Sequence, residues 1–132
     1  MRNVKESIGG EPEILRIAWS SVDRTPMLEQ YAEIKKRYPD AVIFYRMGDF
    51  YEMFYQDAQL GSQVLGIKLT SRSHGKGGAV PLAGFPHHQI DSYLTRMVGA
   101  GYRVVIVEQV EDPKKAKGLV KRDVVQIVTA GT

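Results

Sequence analysis

Apolar residues recur along residues 24–132 with two different periods, and these periods predict a mixture of helices and strands. Helical spacing covers residues 26–38, 57–65 and 89–98. Strand-like runs and alternations cover residues 41–47, 49–55, 67–70, 79–83, 102–110 and 123–129. Because helices and strands intermingle, we expect an α/β (α+β) fold in which a mixed sheet of about six strands has three to four helices packed against it.

Local signals sharpen several of these boundaries. Thr25 followed by Pro26 is typical of a helix start, and Gly66 is typical of a helix end. Pro81 cannot donate a ladder hydrogen bond, so we expect the segment 79–83 to be an edge strand. The nearly unbroken apolar and β-branched run of residues 102–110 predicts a buried central strand.

Residues 41–55 predict a β-hairpin with Gly48 and Asp49 in its turn. Side chains alternate between the two sides of a strand, so positions 50, 52 and 54 are expected on one side and positions 51, 53 and 55 on the other. The pattern predicts that the bulky side chains of this hairpin are core residues, namely Phe44, Tyr51, Met53 and Phe54. Phe50 and Glu52 lie nearer the turn and about 7 Å apart, at roughly 3.3 Å per residue.

An aromatic ring beside a hydrogen-bonding group, close to the tip of a hairpin, suits a protein that inserts into a base stack and tests the base. Alternating aromatic residues in a strand are more often half-buried core, and the pattern alone favours that interpretation. The residue pattern therefore leaves both interpretations open for Phe50 and Glu52.

A resemblance to a known family changes this balance. Residues 46–55, Arg-Met-Gly-Asp-Phe-Tyr-Glu-Met-Phe-Tyr, resemble the signature of the N-terminal mismatch-recognition domain (domain I) of bacterial MutS DNA mismatch repair proteins. Segments 25–31, 81–88, 107–113 and 127–132 are also similar to that family, in the same order, so the resemblance covers residues 24–132. Ala130 stands where the family usually has proline. Residues 1–23 resemble no known segment, and we expect a loosely ordered N-terminal arm there.

The resemblance implies a DNA-binding function. In MutS-like proteins the aromatic residue at the position of Phe50 enters the minor groove and stacks on a mispaired base, and the carboxyl group at the position of Glu52 hydrogen-bonds to the same base. The expected ligand is double-stranded DNA with a mispaired or unpaired base. The family's ATPase lies in a C-terminal domain that this chain lacks, so we expect no enzyme activity, no catalytic residue and no cofactor here.

The resemblance also implies the wider setting. ATP and magnesium are expected only for a full-length MutS protein. The expected partners of such a protein are its other domains or subunits and MutL, and the expected location is the cytoplasm, in association with the nucleoid. Because the chain stops close to where the family domain ends, we expect a fragment or a stand-alone domain.

Composition and charge agree with this interpretation without requiring it. The 132 residues, 43% apolar and 25% charged, suit one folded domain with a core, and no window has the roughly 18 apolar residues of a membrane span. The absence of cysteine excludes disulfides and thiolate metal sites. The net charge is +3, and two basic clusters are candidates for contacts with DNA phosphates. The residues assigned to these contacts are Arg72, His74 and Lys76 in the first cluster and Lys114, Lys115 and Lys117 in the second.

Two other classes of function stay open. A metal-dependent nuclease would need clustered carboxylates with a nearby lysine, for which Asp40 or Asp112 with Lys114 are weak candidates. A protein-interaction module derived from the MutS domain is the second alternative, although the presence of both Phe50 and Glu52 argues against it. No Walker A loop or Gly-x-Ser-x-Gly elbow is present, and the His-His pair at 87–88 has no third ligand with convincing spacing, so we expect no metal site.

Overall fold

The computed structural model of this chain describes residues 25–73 and 78–130. The predicted N-terminal arm, residues 1–23, lies outside them. The helices are α1 (Pro26–Arg37), α2 (Tyr55–Leu65) and α3 (Ile90–Gly99), with a 3₁₀ turn at His87–Gln89 before α3. The strands are β1 (Val42–Met47), β2 (Phe50–Phe54), β3 (Thr70–Ser73), β4 (Ala79–Pro86), β5 (Val104–Gln109) and β6 (Arg122–Val128).

The six strands form one sheet in the order β3-β4-β2-β1-β5-β6. Strands β1 and β5 are parallel, and every other neighbouring pair is antiparallel. The predicted mixed sheet of about six strands with three to four helices against it is therefore confirmed.

Alternation along β1 explains the layered core. Ile43 and Tyr45 pack on the α1 side of the sheet, whereas Val42 and Phe44 pack on the side covered by α2 and α3. Both faces of β1 are thus buried from residue 42 to residue 45, which is why residues 41–45 are an unbroken apolar run. The side chains predicted to be core residues are buried, with exposures of 0–3%: Phe44, Tyr51, Met53 and Phe54.

A buried carboxylate, Asp57, joins three elements of this core. Its Oδ2 accepts hydrogen bonds from the Tyr31 hydroxyl at 2.9 Å and from the Ile43 backbone N–H at 3.0 Å, and its Oδ1 is 2.9 Å from Lys35 Nζ. Burial, with the nearby Asp57 charge, raises the pKa of the Tyr31 hydroxyl well above its ordinary value. Asp57 thereby ties α2 to α1 and β1.

Helix termini follow the sequence signals at most positions. The Thr25 hydroxyl accepts from the Leu28 N–H at 3.4 Å, and Gly66 ends α2 in the left-handed region with φ of 70°. Helix α2 begins at Tyr55, two residues before the predicted start. Tyr55 has φ of 55°, which breaks the strand alternation, and its ring packs in the α1-side cluster. The prediction that Tyr55 shares a side with Tyr51 and Met53 is wrong for that reason.

Two strand predictions are also corrected. The segment 79–83 is not an edge strand, because β4 lies between β3 and β2. Pro81 is tolerated there because β2 pairs with β4 only from Leu82 to Pro86, one residue beyond the proline. The predicted strand at 67–70 begins instead at Thr70, where pairing with Leu82 of β4 becomes available.

Candidate nucleic-acid interface

The β1–β2 hairpin presents Phe50 at its tip. Met47 and Phe50 form the last pair of the hairpin, and Gly48 and Asp49 make the two-residue turn that was predicted. Gly48 has φ of 60°, a conformation that glycine adopts without strain. The turn is also held by the 3₁₀ turn that follows β4, because the His87 N–H donates to the Asp49 carbonyl at 2.7 Å. Phe50 is 44% exposed, which is unusual for a phenylalanine in an otherwise buried strand.

Glu52, two residues from Phe50 on the same side of β2, is buried with 8% exposure. Its neighbours in the sheet are Tyr45 of β1 and Gly84 of β4. A Cβ at residue 84 would come within 2.9 Å of the Tyr51 carbonyl oxygen and 3.3 Å of Glu52 Cγ. Glycine at position 84 therefore leaves the room in which the Glu52 side chain lies.

The two carboxyl oxygens of Glu52 have different surroundings. Oε2 is 3.5 Å from Nη2 of Arg72, whereas Oε1 is buried and has no hydrogen-bond partner within residues 25–73 and 78–130. A buried acceptor without a partner costs on the order of 1–3 kcal/mol. Burial raises the pKa of the Glu52 carboxyl, and the positive charges of Arg72 and Arg122 oppose that rise without cancelling it.

A polar network braces the base of the hairpin tip. The Tyr51 hydroxyl donates to Glu108 Oε2, and Arg46 Nη1 lies 3.0 Å from Glu108 Oε1. Arg46 Nε also donates to the Gly48 carbonyl in the turn. Burial, followed by the Glu108 carboxylate, raises the pKa of Tyr51 to about 12. Sequence reasoning missed Glu108 as a support for the turn; its one signal is an acidic residue at the end of the β-branched run.

Arg122 contacts the base of the hairpin from the other face of the sheet. Its Nε donates to the Arg46 carbonyl at 2.8 Å, and its Nη1 donates to Gln30 Oε1 at 2.9 Å. The guanidinium also lies 4.9 Å above the Tyr45 ring. Arg122 follows the second basic cluster in sequence, but it is half-buried and its contacts are within the protein.

The predicted phosphate-contact residues fall in two places. Lys114, Lys115 and Lys117 are exposed on the β5–β6 connection, which leaves the sheet at the same end as the hairpin turn. The β3–β4 connection leaves from the opposite end of the strands, and His74 and Lys76 within it lie outside the described residues. Arg72, with 51% of its side chain exposed, comes next to Glu52.

The part of the chain that the structure describes holds no group of three or more His, Cys, Asp or Glu side chains placed to bind a metal ion. Asp40 and Asp112, the two carboxylates considered for a nuclease, lie at opposite ends of the parallel pair β1 and β5. Within the same residues, no helix combines the length and apolarity of a membrane span.

Comparison with known proteins gives a consistent result. Residues 25–132 match the family described as MutS domain I. The chain is 54% identical over 110 residues to the DNA mismatch repair protein MutS of Syntrophomonas wolfei, a match that covers 83% of this chain and 13% of that protein. It is 56% identical over 108 residues to the proteins of the same name from Persephonella marina and Oceanobacillus iheyensis, with 82% of this chain and 12% of each protein covered. The chain thus spans about an eighth of the length of these relatives.

Proposed function

The chain belongs to the MutS domain I family, and on that premise we propose that it binds double-stranded DNA with a mispaired or unpaired base. One observation carries the proposal: an exposed aromatic ring at a braced hairpin tip lies beside a buried carboxyl group whose Oε1 has no hydrogen-bond partner among the described residues. Phe50 supplies the ring, and Glu52 supplies the carboxyl group.

Phe50 acts as the wedge in this proposal. It enters the minor groove and stacks on the mispaired base, where aromatic stacking contributes about 1–3 kcal/mol per base. A mispair or an unpaired base weakens stacking, so kinking the duplex at that step costs less than in intact DNA. Deformability of the DNA then provides most of the selectivity, and one site accepts many different mispairs.

Glu52 supplies the polar contact to the same base. A carboxylate is repelled by nearby phosphates, but a protonated carboxyl group is neutral and can donate a hydrogen bond. The raised pKa of Glu52 in the free protein supports this role, because burial has already moved the group toward its neutral form.

Sequence-independent affinity comes from the basic residues. We assign phosphate contacts to Arg72 and to the exposed lysines Lys114, Lys115 and Lys117, and we retain His74 and Lys76 as proposed contacts. A single DNA-binding module buries about 600–1,000 Å² of protein surface, so the isolated chain should bind weakly and with strong salt dependence.

Phe50→Ala tests the wedge. We expect the variant to lose preference for a G·T or single-base-bulge duplex over its paired counterpart, a loss of about 1–3 kcal/mol in binding. Weak, salt-sensitive affinity for both duplexes should remain, because the basic residues are unchanged. Gel-shift titrations of the paired and mismatched duplexes at two salt concentrations measure both quantities.

Ile127→Ala is the matched control for this experiment. Ile127 is 43% exposed and lies on β6 opposite Val105, away from the hairpin tip. Its truncation removes a similar exposed apolar surface and should leave mismatch preference unchanged. Unchanged preference in Phe50→Ala, or equal loss in both variants, would contradict the wedge assignment.

Two alternatives are separated by simple measurements. A metal-dependent nuclease would cut nicked, mismatched or intact plasmid in magnesium but not without it; the distance between the ends of the sheet that carry Asp40 and Asp112 argues against this activity. A protein-interaction module would show no mismatch preference at any salt concentration. The exposed Phe50 beside buried Glu52 favours DNA binding over both.

For a full-length protein that contains this domain we propose the family's setting. ATP hydrolysis with magnesium would reside in another domain, and the match of this chain to domain I alone supports the expectation that the chain itself is not an enzyme and needs no cofactor. Other MutS domains or subunits and MutL are the proposed partners, and the nucleoid in the cytoplasm is the proposed location.

A further inference from the structure

Arg72 and Glu52 form an ion pair whose two members differ in accessibility. The Arg72 side chain is 51% exposed and that of Glu52 is 10% exposed, and their closest atoms, Nη2 and Oε2, are 3.5 Å apart. This distance is longer than that of a well-formed charge-assisted hydrogen bond. The guanidinium can therefore turn toward solvent or a phosphate while the carboxyl group stays in place.

We propose that Arg72 exchanges partners when DNA binds: it leaves Glu52 for a backbone phosphate, and Glu52 takes up a proton from solvent and donates it in a hydrogen bond to the mispaired base. This inference rests on the function proposed above. Arg72 is a positioning residue in this scheme, because it controls the charge of the group that contacts the base.

The surroundings of Glu52 favour the exchange. Arg72 from β3 and Arg122 from β6 are the described cations that act on its carboxyl group. Tyr45, which lies opposite Glu52 in β1, is neutral because burial raises its pKa to about 12, and Gly84 of β4 carries no charge. Arg122 donates hydrogen bonds to the Arg46 carbonyl and to Gln30 Oε1, so Arg72 is the cation that can move away from Glu52.

Departure of Arg72 removes one of the two charges that hold Glu52 ionised, while burial remains. Proton uptake then satisfies the buried carboxyl group, provided that a base offers an acceptor atom. On an intact duplex the stacked base does not reach Glu52, so the same departure would leave a carboxylate buried without its nearest cation. The exchange therefore links a phosphate contact, which any DNA offers, to a base contact that only a distorted site offers.

Binding of a single-base-bulge duplex and its paired counterpart, measured over a range of salt concentrations and pH, tests the exchange. The wild-type chain should bind the bulged duplex more tightly as the pH falls, because binding takes up a proton. In Arg72→Gln the slope of log affinity against log salt should become less steep by about 0.9, the value for one lost phosphate contact. The pH below which affinity stops rising should move upward, because free Glu52 is then closer to its neutral form.

Two further variants make the result specific. Arg72→Lys keeps the positive charge and should restore the salt slope and the pH profile. Arg37→Gln removes one charge from the exposed end of α1, and should leave both the slope and the profile of the bulged duplex near those of the wild type. If Arg37→Gln changed the salt slope and the pH profile as much as Arg72→Gln does, the effect would come from net charge alone. That result would overturn the proposal.

A second measurement covers the case in which Arg72→Gln does not fold. Carbon-13 NMR titration of the Glu52 carboxyl group in the wild-type chain should show a higher pKa with the bulged duplex than without DNA. A carboxyl group that stays ionised on the bulged duplex overturns the exchange while leaving the wedge intact. A wild-type chain with no preference for the bulged duplex instead overturns the function on which the exchange rests.

Discussion

Two acidic side chains are buried among the described residues, Asp57 and Glu52, and they are held in opposite ways. Asp57 accepts hydrogen bonds from Tyr31 and Ile43 and pairs with Lys35, all at 2.9–3.0 Å. Glu52 has one oxygen at 3.5 Å from an arginine and the other without a partner among the described residues. The two groups are five residues apart in sequence and differ in how completely the fold satisfies them.

The difference separates structure from function within one short segment. A buried carboxylate with all its partners stabilises the elements that it joins, whereas one that lacks a partner destabilises the free protein and can gain a partner from a ligand. The Asp57 region is complete in the free chain. The Glu52 region, next to the exposed ring of Phe50, keeps an acceptor without a partner within residues 25–73 and 78–130.

Removal of Asp57 should have the largest effect on stability. Asp57→Ala removes the carboxylate that accepts from the Tyr31 hydroxyl and the Ile43 N–H and that pairs with the Lys35 ammonium, and breaking a buried pair of this kind costs about 3–5 kcal/mol. Urea unfolding followed by circular dichroism measures the loss. Glu33→Ala is the control, because the Glu33–Lys36 pair at 3.7 Å is exposed on both sides and should contribute less than about 1 kcal/mol. A loss below about 1 kcal/mol for Asp57→Ala would contradict the structural role.

Replacement of each acid by its amide should change the free energy of unfolding in opposite directions at the two positions. Asp57→Asn should destabilise the protein at neutral pH, because the amide nitrogen cannot accept a hydrogen bond and the Lys35 charge loses its counterion. Glu52→Gln should stabilise it, since burial disfavours the charge that glutamine lacks. Glu52→Gln should also retain or tighten DNA binding and reduce discrimination between mismatched and paired duplex. Clear loss of binding to both duplexes would count against this account of Glu52.

The dependence of the free energy of unfolding on pH tests whether the fold disfavours the charged form of Glu52. Its folded-state pKa is raised above the ordinary 4.5, so the stability that comes from holding the proton is fully present below the unfolded-state pKa and is lost as the pH rises through the folded-state pKa. The stability advantage of Glu52→Gln should therefore grow with pH across that window and shrink below it. Parallel unfolding curves of the two proteins across the window provide the measurement, and a difference independent of pH would contradict the raised pKa.

Much of the fold followed from local sequence signals. The helix start at Thr25, the helix end at Gly66 and the turn at Gly48 each rest on one residue's conformational preference, and the structure confirms all three. The wrong predictions concern features that depend on contacts between distant segments of the chain. The neighbours of β4 depend on where β3 pairs, and the left-handed backbone at Tyr55 starts α2 early; neither is encoded in a local period.

The candidate site was predictable in part. Phe50 and Glu52 could be singled out from alternation near the turn and from the family resemblance. Partners from distant strands could not be found in this way: Arg72 and Glu108 reach the hairpin across the sheet from β3 and β5. Long side chains whose roles depend on a contact 20 or more residues away leave no periodic signal in sequence.

Tyr51 offers the smallest and most selective test, because it braces the hairpin without being part of the proposed contact. Tyr51→Phe keeps the ring against Phe44 and Phe85 and removes only the hydrogen bond to Glu108, which should lower the stability by about 1 kcal/mol at neutral pH. Wild-type Tyr51 holds its proton to a pKa of about 12 against an ordinary 10.0, so its contribution is present below pH 10 and is lost toward pH 12.

The difference between wild type and Tyr51→Phe should therefore narrow across that alkaline window, as measured by unfolding at several pH values. Tyr38→Phe, which removes a hydroxyl from a half-buried tyrosine at the other end of β1, controls for general alkaline effects. A constant difference from neutral to alkaline pH would contradict the raised pKa of Tyr51, which comes first from burial and then from Glu108. The Tyr51 hydroxyl would then not be held in a buried contact with Glu108, and the hairpin tip would be held less firmly than that contact indicates.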